Sequence, residues 1–305
     1  MTRREALGLL AAPALQGAAF QTILVHEHIL VDFIGANEVS RSRYDAREVI
    51  RIVKPYLEDL KRHGCRRLQE CTPNYLGRDP KLLQKLSEET GIEIWTNTGL
   101  YGAGKDFRYL PPYAMTESPE ELAARWVQEA KRGIDGVKPR FIKIGVSGSN
   151  PLHPLDRKLI TAAAITSAET GLTIASHTGN GQAALEQLEV VQSRRVKPSK
   201  FVWVHAQSEK DHSIHEQVAR AGAWVEFDGI SPKTARWHHE CIVHMAEQNL
   251  LSRTLISQDA GWYHVGEPDG GEFRDYSYIY THFIQGLEER IVRQLLEVNP
   301  AQAFG

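Results

Sequence analysis

The chain has 305 residues, 42% hydrophobic and 24% charged, the balance of a folded protein with a sizeable core rather than of a disordered one. A net charge of -2 argues against a nucleic-acid binder, which would show a basic stripe. No apolar run in the body is long enough to span a bilayer, and Cys65, Cys71 and Cys241 are odd in number, with neither disulfide-framework nor zinc-ribbon spacing.

Residues 1–20 read as a targeting segment. Met1-Thr2-Arg3-Arg4-Glu5 is a basic start, Ala6 to Leu15 is a short apolar run, and Gly17-Ala18-Ala19 supplies the small residues of a cleavage zone. The Arg3-Arg4 pair suggests the twin-arginine route and a periplasmic or secreted protein; the alternative is an uncleaved apolar helix. Residues 21–305 read as one domain, because no Pro/Ser-rich linker, charge block or low-complexity segment divides them.

Short apolar runs then alternate with helix-like segments. The first, at 23–30, carries His26 and His28 one residue apart. Side chains two apart on a strand leave the same face, so these imidazoles can share a metal ion or be hydrogen-bonded in a core. Further runs fall at 67–71, 92–100, 141–146, 172–176, 201–204, 224–227 and 255–257. Helical periodicity appears at 45–62, 119–132, 155–170, 182–194, 211–220 and 232–248, with Gly91, Gly171 and Gly222 placed as C-caps. Runs apolar on both faces, alternating with helices, predict parallel strands covered by helices. A doubly wound sheet would carry a glycine-rich turn after its first strand, which is missing. The predicted fold is α/β, a single (β/α)8 TIM barrel.

Chemistry in such barrels sits at the C-terminal ends of the strands. The polar residues there are His26 and His28, Tyr101, Lys143, His177, His205, Asp228 and Asp259, in strand order. A buried ammonium must pair or give up its proton. Lys143 can form a structural ion pair with Asp259, act as a Schiff-base lysine, or be carbamylated by CO2 into a carboxylate that bridges metals. Four mouth histidines favour the last, since neither other role needs them. Imidazole and carboxylate ligands suit zinc, with manganese, cobalt and iron compatible.

This order of residues, H-x-H, Lys, His, His, Asp, resembles the phosphotriesterase-like branch of the amidohydrolase superfamily, from about Ile23 to the closing Asn299-Pro300-Ala301. The resemblance implies a binuclear centre. His26, His28 and Asp259 would hold one metal and His177 and His205 the other, bridged by carbamylated Lys143 and a hydroxide. Some relatives carry Glu at the position of Lys143; this chain keeps the lysine, so carbamylation is expected. Two metals acidify a shared water and polarise the bond under attack. The resemblance also implies Asp259 as general base, Tyr101 as the tyrosine that lactonase members set against the substrate's ring oxygen or carbonyl, and a homodimer. Packing with a wet hydroxyl is the alternative for Tyr101.

Asp228 is expected to orient a metal histidine from behind or to contact substrate. In the polar loop 261–276, Trp262, Tyr263 and His264 are expected to wall the pocket. Arg274 is expected to hold a carboxylate or phosphate by its planar fork, or else to pair with Asp275 or Glu272. Asp211, His212, His215, His238, His239 and His244, on predicted helices, read as surface or packing residues. The function expected is a binuclear metal-dependent hydrolase of a small-molecule lactone or other carboxylic ester, with the polar loop favouring small, oxygen-rich lactones such as sugar lactones. Phosphotriester hydrolysis and a non-catalytic metal-binding barrel are the alternatives.

Overall fold

Period-two alternation in the apolar runs builds the barrel. The computed structural model describes residues 21–305; the export segment expected at 1–20 lies outside the described residues. Its strands are β1 (Thr22–Glu27), β2 (Cys65–Glu70), β3 in two pieces (Glu93–Trp95 and Asn97–Thr98), β4 (Phe141–Gly145), β5 (Ile174–His177), β6 (Phe201–Val204), β7 (Trp224–Phe227) and β8 (Thr254–Ile256). Neighbours pair in parallel. The first piece of β3 pairs with β2 and the second with β4, so the run predicted at 92–100 breaks at Thr96. Among the described residues β8 and β1 form no ladder. Their seam is closed by the His28 N–H donating to the Ala260 carbonyl at 2.8 Å and the Asp259 N–H donating to the His26 carbonyl at 3.0 Å. This is the (β/α)8 barrel expected.

The outer helices are α1 (Ala46–Arg62), α2 (Pro80–Thr90), α3 (Pro119–Arg132), α4 (Pro154–Thr170), α5 (Gly181–Ser193), α6 (His212–Arg220) and α7 (Ala235–Glu247). Local chemistry sets their ends. Asp45, Asp79 and Asp211 accept from first-turn N–H groups, and Ser118 with Glu121 forms a reciprocal capping box. Gly91 and Gly171 close α2 and α4 in the left-handed region, φ 73° and 76°. Gly222 lies one residue beyond the Ala221 cap of α6. Two expectations shift: Asp211 caps α6 rather than lying within it, and α7 starts at Ala235, three residues into the segment 232–248.

Phe141, Ala175, Val202, Trp224 and Leu255 fill the barrel, joined by Phe304 from the final helix (Asn299–Phe304). Ile142 and Ile144 of β4 and Val225 and Phe227 of β7 pack under the helices. Alternation therefore turns Lys143, His177, Glu226 and Asp228 inward, above that plug. β1 needs a correction to simple alternation. Leu24 pairs with Leu68 and Glu27 with Glu70, so three steps on β1 match two on β2. This bulge brings His26 to the same side as Val25 and sends Glu27 the other way. The strand ends at Glu27, and Leu30–Val31 pairs separately with Tyr263–His264.

Candidate metal centre

Three imidazoles at the mouth are each gripped at Nδ1. His26 Nδ1 donates to Glu226 at 3.0 Å and to Asp228 at 3.1 Å. His205 Nδ1 donates to the other Asp228 oxygen at 2.5 Å, and His205 is turned into the mouth by a left-handed φ of 65°. His28 Nδ1 lies 2.8 Å from the Thr72 hydroxyl, whose own proton goes to Glu70, so Thr72 accepts from the imidazole. These partners fix the tautomers and leave the Nε2 lone pairs facing the centre.

Asp259 enters the same space. Its Oδ1 lies 3.2 Å from His28 Nε2 and 3.8 Å from His26 Nε2, is shut off from solvent and has no hydrogen-bond partner. Lone pairs therefore converge on lone pairs, within 4.8 Å of one another, an arrangement that a cation among them satisfies. Two borderline nitrogens and a carboxylate oxygen fit a divalent transition ion or zinc. Beside them the ring centroids of His26 and His205 are 5.0 Å apart and those of His205 and His177 4.3 Å. Lys143 is 2% exposed, and no carboxylate pairs with it among the described residues, so the ion pair with Asp259 is not formed.

Burial keeps His26, His28 and His177 neutral and available as ligands. Burial holds His26 down at about 4 and lowers His28 and, further, His177, which also feels His205. For His205 burial is outweighed by Asp228, and the net shift is upward. Burial works against the Asp259 charge, but the His28 contact and the neighbouring imidazoles hold its carboxyl well below the usual range. Asp228 is likewise lowered, by His205 and His26. Glu226, buried beside Asp228, is pushed well above its ordinary value.

Aromatic rings complete the mouth. Tyr101 O–H lies 3.2 Å from His177 Nε2, and burial, then Asp259, raises its pKa so that it stays a phenol. Rings then follow one another from Tyr101 to Tyr109 (6.0 Å), Phe33 (6.0 Å), Trp262 (5.7 Å) and His28 (4.3 Å), closing a circuit with the other imidazoles. His264 lies 5.9 Å from Phe33. Tyr263, its neighbour in extended chain, faces the opposite way and is buried against Gly270, outside this circuit. Arg274 is exposed, and its Nη2 donates to the Gln258 carbonyl at 3.3 Å rather than to Asp275 or Glu272. Asp228 sits behind the imidazoles, where the Gln207 amide also donates to it at 2.8 Å and His238 Nε2 to its backbone carbonyl at 2.5 Å. His215 and His238 are buried packing residues. Glu27, Thr72, Glu226, Phe33 and Tyr109 are not among the residues expected from the sequence. The glutamates had a signal, a carboxylate within a buried strand; the two aromatics lie in irregular loops and had none.

This is the mouth of a metal-dependent hydrolase built on a (β/α)8 barrel. A model of the phosphotriesterase family matches residues 9–304. The phosphotriesterase homology protein of Escherichia coli is 29% identical over 293 residues, 92% of this chain and 97% of that protein. A crystal structure of that protein, with phosphate in its active site, has a TM-score of 0.79 at 27% identity and covers 95% of this chain and 100% of its own. Aryldialkylphosphatase of Saccharolobus solfataricus is 26% identical over 244 residues, 77% of this chain and 76% of that protein. The chain belongs to the phosphotriesterase family, whose members are metal-dependent hydrolases.

Proposed function

We propose that this mouth hydrolyses a lactone or another carboxylic ester at a binuclear centre held by His26, His28, Asp259, His177, His205 and carbamylated Lys143. The observation that carries the reading is the solvent-free Asp259 oxygen facing two neutral imidazole nitrogens. Bound divalent ions, zinc above all, would supply an acidified water and a polarised carbonyl. Asp259 takes the proton released as water adds to the carbonyl carbon and returns it to the departing oxygen when the C–O bond breaks. The Tyr101 hydroxyl donates to the substrate oxygen beside His177. Burial of Lys143 with no carboxylate in ion-pair contact among the described residues supports the carbamate, since a buried ammonium normally pairs.

The aromatic wall of Phe33, Tyr109 and Trp262 shifts the substrate preference from oxygen-rich lactones toward esters carrying a planar, apolar group. Trp262 and His264 line that wall, with Arg274 and Tyr263 outside it. Attack on phosphorus is the second reading, favoured by the aryldialkylphosphatase relative. A screen of aryl esters, lactones and phosphotriesters on zinc-reconstituted protein tests it: carboxylic esters should turn over fastest, and a clear preference for phosphotriesters would reverse the order. Arg3-Arg4 and the following apolar run support export to the periplasm, which Arg3→Lys with Arg4→Lys should block. Light scattering tests the proposed homodimer.

A further inference from the structure

We propose that Glu27 is a positioning residue: its carboxylate stands in for the backbone ladder missing between β8 and β1 and thereby fixes Asp259 against His26 and His28. The inference rests on the reading of Asp259 given above. Glu27 is fully buried, and the β1 bulge turns it away from the imidazoles on either side of it in sequence. It meets the chain that leaves β8. Its Oε1 accepts from the Ser257 hydroxyl at 2.8 Å and the Gln258 N–H at 2.9 Å, and its Oε2 from the Ala260 N–H at 2.7 Å. The two backbone donors flank Asp259 on both sides. The Ser257 hydroxyl in turn accepts from the His26 N–H at 3.0 Å, so the same contact reaches the first histidine.

Asp259 needs such a brace. Its φ of 49° lies in the left-handed region, which residues with a Cβ rarely keep without support. Two residues on, Gly261 passes so close to the chain leaving β1 that a Cβ there would lie 1.8 Å from the His28 carbonyl oxygen. The seam is therefore held by a few backbone bonds and one carboxylate, and the carboxylate is the part that contacts both neighbours of Asp259. Glutamine at position 27 has one acceptor oxygen and so can satisfy the Gln258 or the Ala260 N–H, but not both.

The test is a double-mutant cycle of Glu27→Gln and Asp259→Asn, read in zinc affinity by chelator competition, in kcat and in KM, with thermal melts as the control for folding. Glu27→Gln alone should weaken zinc and lower kcat by about 10- to 100-fold, with KM within about twofold of the parent. Added to Asp259→Asn, it should cost less than about a further twofold in either quantity, because residues that act as one unit are not additive. Full additivity in zinc affinity, or KM and kcat falling together with the melting temperature, would overturn the proposal. Undiminished turnover in Asp259→Asn alone would overturn the base assignment instead, and the zinc cycle would still report on Glu27. If Glu27→Gln does not fold, Ser257→Ala, which removes a single donor to the carboxylate, goes through the same cycle with the same criterion of non-additivity.

Discussion

Asp228→Asn is the sharpest probe of how the imidazoles are held. The Asp228 carboxylate accepts from His205 Nδ1 at 2.5 Å, from the Gln207 amide at 2.8 Å, from His26 Nδ1 at 3.1 Å and from the His205 N–H at 3.2 Å. Asparagine offers one acceptor oxygen, and its NH2 meets donors on the other side. His26 retains Glu226 at 3.0 Å, whereas His205 has no second carboxylate among the described residues, so the loss should fall mainly on His205. A hydrogen bond to a charged partner contributes about 1.5–3 kcal/mol, which at about 1.4 kcal/mol per decade is roughly a 10- to 100-fold loss of affinity. Chelator competition on the apoprotein should show one ion weakened by that factor and the other changed far less, with the fold retained. Affinity within about twofold of the parent for both ions would refute the argument that Asp228 sets the imidazoles.

Lys143→Ala should lose metal and turnover together, and short carboxylic acids should restore part of both by supplying the missing anion; metal content that stays at the parent level contradicts a carbamate ligand. Tyr101→Phe should lower turnover of lactones and spare phosphotriesters; equal losses on both would remove the hydroxyl from the reaction. His215, away from the mouth, is held by burial at about 4 while it donates to the Ala206 carbonyl at 2.8 Å. The folded state keeps this imidazole neutral and the unfolded state protonates it below its ordinary value of 6.5. Its contribution to stability is thus complete above that pH and is lost as pH falls toward 4, by up to ~3 kcal/mol. His215→Gln, which keeps the donor, should flatten the acid limb of the metal-free protein's stability curve by that amount; an unchanged slope would contradict it.

The barrel was legible in the sequence because β4, β5, β6 and β7 are short, apolar on both faces and separated by capped helices. The inward residues Lys143, His177 and Asp228 followed from alternation once the strands were set. Where backbone departs from regular strand, alternation misleads. The bulge in β1 brings His26 inward beside Val25, and the left-handed turns at His205 and Asp259 re-aim side chains that a straight strand would send elsewhere. Trp262, Tyr263 and His264 are all expected to wall the pocket, yet Trp262 and His264 reach the mouth while Tyr263 turns to the core, a consequence of the short pairing of Tyr263–His264 with Leu30–Val31. Phe33 and Tyr109 could not be found from sequence, since their approach depends on Arg108, which stitches the two loops by donating to the Phe33 and Ile34 carbonyls at 3.1 and 2.9 Å.

The most direct measurement of the central claim is elemental analysis of protein reconstituted with zinc and bicarbonate, paired with ester hydrolysis before and after chelation. A binuclear centre predicts about two divalent ions per chain, hydrolysis that disappears with them and returns on reloading, and loss of metal in the His26→Ala and His205→Ala variants. Trace metal after reconstitution, or hydrolysis that survives its complete removal, would contradict the account.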